Sequence, residues 1–145
     1  MRSDGLPIPD LLLAALDAGH WPRTRDEAAK QNQRPRVPES HVRLLAPDES
    51  RLYLYLPPFA TVVRILAGPN REFYTQFGAV DQLVPEACIE IADLGLGADA
   101  PILLDYRNGP IEPSVLRLFW PGDGLPNRWV LMAANFRHFM EVLGL

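Results

Sequence analysis

CIEIADLGLGADAPILLDYR, residues 88–107, decides how this chain folds. Both of its ends alternate. Ile89 and Ile91 recur two apart, and so do Ile102, Leu104 and Tyr106, which is the period of a strand with one buried face. Between them, Gly95 and Gly97 offer the left-handed backbone freedom of a tight connection. Asp93 and Asp99 offer carboxylates that accept hydrogen bonds from loop amides. Pro101 biases Ala100 toward an extended conformation. The stretch therefore reads as two antiparallel strands joined by a structural turn built on Asp93, Gly95, Gly97 and Asp99.

Two ligand readings compete with that turn. A pair of carboxylates beside glycine suits calcium, but an EF-hand loop needs oxygen ligands at alternate positions and a distal glutamate. A dinucleotide site needs Gly-x-Gly-x-x-Gly opening a helix, and these glycines do not supply it. The turn is assigned neither a metal nor a cofactor.

Downstream the alternation continues. PSVLRLFW sets Leu116, Leu118 and Trp120 together, and RWVLMA sets Trp129 and Leu131 together. Gly109-Pro110 and PGDGLPN supply the turns. Asn135 caps a last helix whose Phe136, Phe139, Met140 and Leu143 form an inward stripe, closed by Gly144. The two indoles are read as packing residues whose N–H groups find partners in the turn between them.

Upstream, RLYLYL at residues 51–56 places Leu52, Leu54 and Leu56 on one face and Tyr53 and Tyr55 on the other, and Pro57-Pro58 stops it. Residues 59–84 define no element firmly; Phe73 and Phe77, four apart, suit a short helix. Before that, the chain reads helical. Leu11, Leu12, Ala15 and Leu16 follow Pro9 and stop at Gly19. Thr24 to Glu27 forms a capping box, starting a surface helix that runs to about Gln33 and ends before Pro35. Val42, Leu45 and Ala46 turn inward from a further short helix. Helices, then an antiparallel sheet, then a helix make an α+β fold, with helices covering one face of the sheet and the other partly open. The length suits a single domain spanning residues 1–145.

Composition narrows the function. The chain has 14 basic and 18 acidic residues, so nucleic-acid binding through a broad basic surface is not expected, whereas a basic protein partner is permitted. A hydrophobic fraction of 48% sustains a core without a metal or disulfide staple. Cys88 is the only cysteine, consistent with a reducing compartment. The apolar run at residues 11–16 is bracketed by Asp10 and Asp17 and is too short for a signal peptide or a membrane span, so a cytoplasmic, membrane-free protein is expected. The fifteen prolines are scattered as punctuation between short elements.

Catalytic constellations are poorly specified. His20, His41, His138 and Cys88 lie far apart in sequence, with no Cys-x-x-Cys or His-x-x-x-His spacing. Ser114, His138 and Asp105 can be drawn as a triad, but no Gly-x-Ser-x-Gly elbow sharpens it. Cys88, at the start of a strand, reads as a small buried hydrophobe. A metal-assisted hydrolase on Asp93, Asp99 and Asp105 remains as one alternative.

The face opposite the core is more informative. Alternation sends Tyr53 and Tyr55, Glu90, Asp105 and Arg107, and Arg117 and Phe119 to it from four strands. Tyrosine, arginine, phenylalanine and carboxylates are the residues of a protein-binding hot spot. The same residues also serve to keep an exposed sheet soluble.

Residues 91–101, IADLGLGADAP, with Leu104-Asp105-Tyr106-Arg107, resemble the core signature of the SUKH superfamily, which includes fungal regulators of cell-wall synthesis and many bacterial immunity proteins. Pro113 to Leu116, Trp120, Arg128-Trp129-Val130 and residues 136–145 agree, so the resemblance covers residues 88–145; earlier, only Gly19-His20-Trp21-Pro22 and residues 53–58 look similar. The resemblance implies a one-sheet α+β fold and a binding module without enzymatic activity: in bacteria, an immunity protein neutralising a polymorphic toxin. A regulatory scaffold for a cell-wall or signalling protein is the second reading.

Overall fold

The computed structural model describes residues 1–95 and 97–145. It is an α+β fold, as expected. In chain order the elements are β1 (Arg2–Ser3), β2 (Leu6–Pro7), α1 (Asp10–Ala18), α2 (Arg25–Ala29), α3 (Glu39–Leu45), β3 (Leu52–Leu54), α4 (Val62–Leu66), α5 (Glu72–Phe77), β4 (Cys88–Leu94), β5 (Pro101–Asp105), β6 (Ser114–Phe119), β7 (Arg128–Ala133) and α6 (Phe136–Leu143). Strands β3 to β7 form an antiparallel sheet in sequence order, and β1 pairs with β2 in a small hairpin.

Local chemistry accounts for the helix ends. The Thr24 hydroxyl accepts from the Glu27 N–H at 3.2 Å, and the Asn135 side chain accepts from His138 N–H at 2.8 Å. Gly19 and Gly144 close α1 and α6 in the left-handed conformation, at φ 78° and 74°. The segment after Thr24 is not confined to the surface: Ala28 and Gln31 are buried. Gln31 lies in a 3-10 turn and reaches β3, whose outer edge it closes.

The main core lies between one sheet face and α1, α3 and α6. Leu52 and Leu54, Ile89, Ile102, Leu104 and Val115 meet Leu12, Leu16, Val42, Phe139 and Leu143 there. The opposite face carries a second, smaller cluster, in which Cys88 and Leu103 pack with Val62 of α4 and Tyr74 of α5, with Leu116 and Trp129 against them. Every residue of β5 is therefore buried, as happens when a strand is covered on both sides.

That second layer corrects the reading of β6. Ile102 pairs with Arg117, and Leu103 with Leu116, so Arg117 points to the main-core face and Leu116 to the other. Leucine was assigned to the main core because it is apolar; here both faces have apolar cover, and hydrophobicity no longer identifies the side. Arg117 is tolerated because both of its terminal nitrogens reach the Asp48 carboxylate, at 2.6 and 3.1 Å. Phe119 shares that face, between Arg117 and Arg128, whose guanidinium carbons lie 5.5 and 5.0 Å from its ring centre. The reading of β7 and Trp120 also changes: Leu131 is 61% and Trp120 43% exposed, while Met132 and Ala133 are buried.

Candidate functional site

The turn at residues 93–101 sets one boundary of the second face. Asp93 is buried, and its Oδ1 accepts from the Ala100 N–H at 3.0 Å, so this carboxylate ties the turn shut as expected. Burial pushes its pKa up to about 6, against the opposing hydrogen bond from Ala100. Gly95 adopts φ 85° and Ala98 φ 56°. A Cβ at Gly97 would meet the Asp99 carboxylate at 3.3 Å. Asp99 is exposed; its backbone carbonyl accepts from the Trp120 indole N–H at 2.6 Å. Part of this turn's sequence reading, Leu96, lies outside the described residues.

Three of the seven residues selected from sequence, Tyr53, Tyr55 and Glu90, share one side of the second face or border it. Tyr53 stands directly across from Asp93 in the β3–β4 register. Tyr55 follows it two residues on, with its ring centre 6.2 Å from that of Tyr53. Tyr55 borders two shallow grooves: one of about 300 Å³ with Pro58, Phe59 and Glu90, and one of about 280 Å³ with Asn32, Tyr53, Asp93 and Ala98. Glu90 accepts from the Tyr74 hydroxyl at 2.5 Å, and burial raises its pKa. Burial, with Asp93 and Glu90 close by, raises the Tyr55 phenol as well, so it stays neutral. Another notch, of about 220 Å³ beside Pro9, Glu112 and Asn135, contains none of the selected residues.

The other four do not join them. Asp105 lies at the opposite end of β5 from the turn, paired with Cys88 of β4. It is buried and held by the Arg107 side chain at 2.6 Å and backbone N–H at 3.0 Å, while Arg107 also donates to the Gln82 carbonyl. Asp105 and Arg107 thus form a local staple near the end of the second layer. Arg117 and Phe119 lie on the opposite side of the sheet, so the single patch drawn from four strands is divided in two. The cause is the same double cover that reversed β6.

The carboxylates named for the hydrolase alternative are not all brought together. Asp93 pairs with Pro101 and Asp105 with Cys88, four residues apart along β5, or about 13 Å at strand rise. Among the described residues, no group of three His, Cys, Asp or Glu side chains is placed to hold a metal ion. Cys88 is fully buried, and burial, with Asp105 beside it, pushes its thiol up to about 12.

Two residues that the sequence reading did not select extend the surface. Phe77 at the end of α5 is 44% exposed, and its ring centre lies 5.5 Å from that of Trp120. Through the Trp120 bond to Asp99, this aromatic pair adjoins the turn that borders Tyr53 and Asp93. The turn-rich stretch PGDGLPN that directly follows Trp120 and ends the strand was the available signal. No helix among the described residues is long and apolar enough to cross a membrane. Comparison with protein-family models, curated proteins and solved structures gives no match.

Proposed function

We propose that this chain is a non-enzymatic protein-binding module of the SUKH kind, acting in bacteria as an immunity protein that occludes a toxin. One observation carries the binding reading. The part of the second sheet face that α4 and α5 leave uncovered is bordered by half-buried Tyr53 and Tyr55 and by half-exposed Phe77 and Trp120, with the Asp93 carboxylate beside the turn and the Glu90 carboxylate beside Tyr55. Large rigid aromatics beside desolvated charges are what hot spots are made of. A formal net charge of −4 favours encounter with a basic partner. The step from binding module to immunity protein rests on the sequence resemblance at residues 88–145.

The regulatory-scaffold reading shares the surface and differs in the partner. Co-expression separates them. The chain is produced together with each protein encoded beside its gene, and growth and complex formation are followed. Rescue from a toxic neighbour, with a stable complex on gel filtration, is the expected result. A non-toxic cellular partner favours the scaffold. Absence of any complex, or a complex unaffected by Tyr55→Ala and by Trp120→Ala, overturns the assignment of this face.

A further inference from the structure

We propose that the grooves on either side of Tyr55 receive an arginine side chain from the bound protein, an inference that deepens the binding reading above and rests on it. Glu90 and Asp93 present carboxylates to adjoining grooves that share Tyr55, and Tyr53 stands across from Asp93. Neither carboxylate has an ion-pair partner among the described residues. The cations on neighbouring elements are engaged elsewhere. Arg51 donates to the Gln31 and Asn32 carbonyls, Arg64 is paired with Asp4, and Arg107 with Asp105.

Glu90 Oε2 accepts from the Tyr74 hydroxyl, leaving its other oxygen without a donor among the described residues, whereas Asp93 is buried behind it and tied to the turn by the Ala100 N–H. Among the described residues no buried side-chain oxygen or nitrogen lacks a partner, so the free Glu90 oxygen is open to the groove beside Tyr55. A half-satisfied carboxylate beside a phenol ring, with a second carboxylate buried behind it, matches a guanidinium better than an ammonium. Its planar fork donates in several directions at once, and its face stacks on an aromatic ring. A neutral or acidic segment placed there would leave the Glu90 carboxylate desolvated without compensation.

The probe is the capped tripeptide acetyl-Gly-Arg-Gly-amide, with the Gln and Lys tripeptides as controls, titrated into the ¹⁵N-labelled protein and followed by amide shifts. Saturable shifts centred on Tyr55, Glu90 and Asp93 are expected with the arginine peptide. They should weaken about tenfold in Glu90→Gln, which keeps an acceptor for Tyr74, and persist in Tyr55→Phe, which keeps the ring. No saturable shift, equal binding of the glutamine or lysine peptide, or equal affinity in a folded Glu90→Gln variant each overturns the proposal. A toxin complex that forms normally with Glu90→Gln overturns this assignment and leaves the binding reading standing. Arginine binding with no protein partner found supports the groove assignment while the binding reading fails.

Discussion

The side-chain amide of Gln31 takes the place of a neighbouring strand for Leu54: its Nε2 donates to the Leu54 carbonyl and its Oε1 accepts from the Leu54 N–H, both at 2.9 Å. Since β3 is an edge strand, this closes a backbone position that would otherwise be free to pair with another chain. Gln31→Ala leaves two buried backbone groups without partners and is expected to cost about 2 kcal/mol. Concentration-dependent self-association should accompany the loss. Urea unfolding and gel filtration check both, and a stability within 0.5 kcal/mol of the wild type, on the order of an unremarkable surface change, contradicts the role.

The other edge has a similar device. Gln82 Oε1 accepts from Trp129 N–H of β7 at 2.8 Å, in a more exposed setting. Gln82→Ala is therefore expected to cost less than Gln31→Ala, about 1 kcal/mol. A larger loss at Gln82 than at Gln31, measured in the same urea series, rejects burial as the deciding factor.

Arg117 and Asp48 are unequally buried, with side-chain exposures of 8% and 43%. Removing Asp48 strands the guanidinium, so Asp48→Ala is expected to cost about 2 kcal/mol, below the 3–5 typical of fully buried pairs because water reaches the carboxylate side. Arg117→Met replaces the buried charge by a hydrophobe of similar length and is expected to cost less. The Arg117 hydrogen bond holds the Asp48 carboxyl below its ordinary 3.8. A depressed carboxylate pKa contributes stability above its unfolded value, lost as pH falls through the folded one. The gap between wild type and Asp48→Ala should therefore narrow below about pH 4; a gap independent of pH rules out the pair as its origin.

Asp93 acts with the opposite sign. Burial raises its pKa from 3.8 to about 6, with Asp99 and Glu90 adding to the rise. The native state then holds the proton more tightly than the unfolded chain, so this group lowers stability as pH rises from about 4 to about 6. Asn in its place keeps an oxygen for the Ala100 N–H and carries no charge. Asp93→Asn is expected to match or lag the wild type at pH 4 and to gain about 2 kcal/mol relative to it by pH 7. Chemical denaturation at several pH values measures the difference; a constant offset disproves it.

Cys88 should be inert in the folded protein. With its thiol fully buried and its pKa pushed up to about 12, almost no thiolate is present at pH 8. Labelling by an aromatic disulfide reagent is expected to be at least about 100-fold slower in the native protein than in guanidinium, because reaction requires opening. Equal rates would contradict the packing around β4.

Much of the sheet was legible because its strands alternate and its turns carry glycine and proline; α6 was legible from Asn135 and a four-residue apolar stripe. The side of Arg117 was not legible, since the partner that makes its burial tolerable, Asp48, is 69 residues away. Helices α4 and α5 have five and six residues, too short for a periodicity to show, and their apolar partners lie on the sheet. The β1–β2 hairpin was missed although Asp4-Gly5, at φ 48° and 85°, is a recognisable hairpin pair. Within the candidate site, β-pleat alternation brought Tyr53 and Tyr55 to the right side. It could not show that α5 would contribute Phe77.

Residues 55–87 leave the sheet after β3 and return as β4, its immediate neighbour, so the whole second layer is one excursion between adjacent strands. Lengthening, trimming or exchanging that excursion redraws one border of the proposed binding surface without rewiring the ladder on either side. On the proposed reading, Tyr55 and Phe77 can thus change with that excursion while the ladder that carries Tyr53, Glu90 and Asp93 stays put.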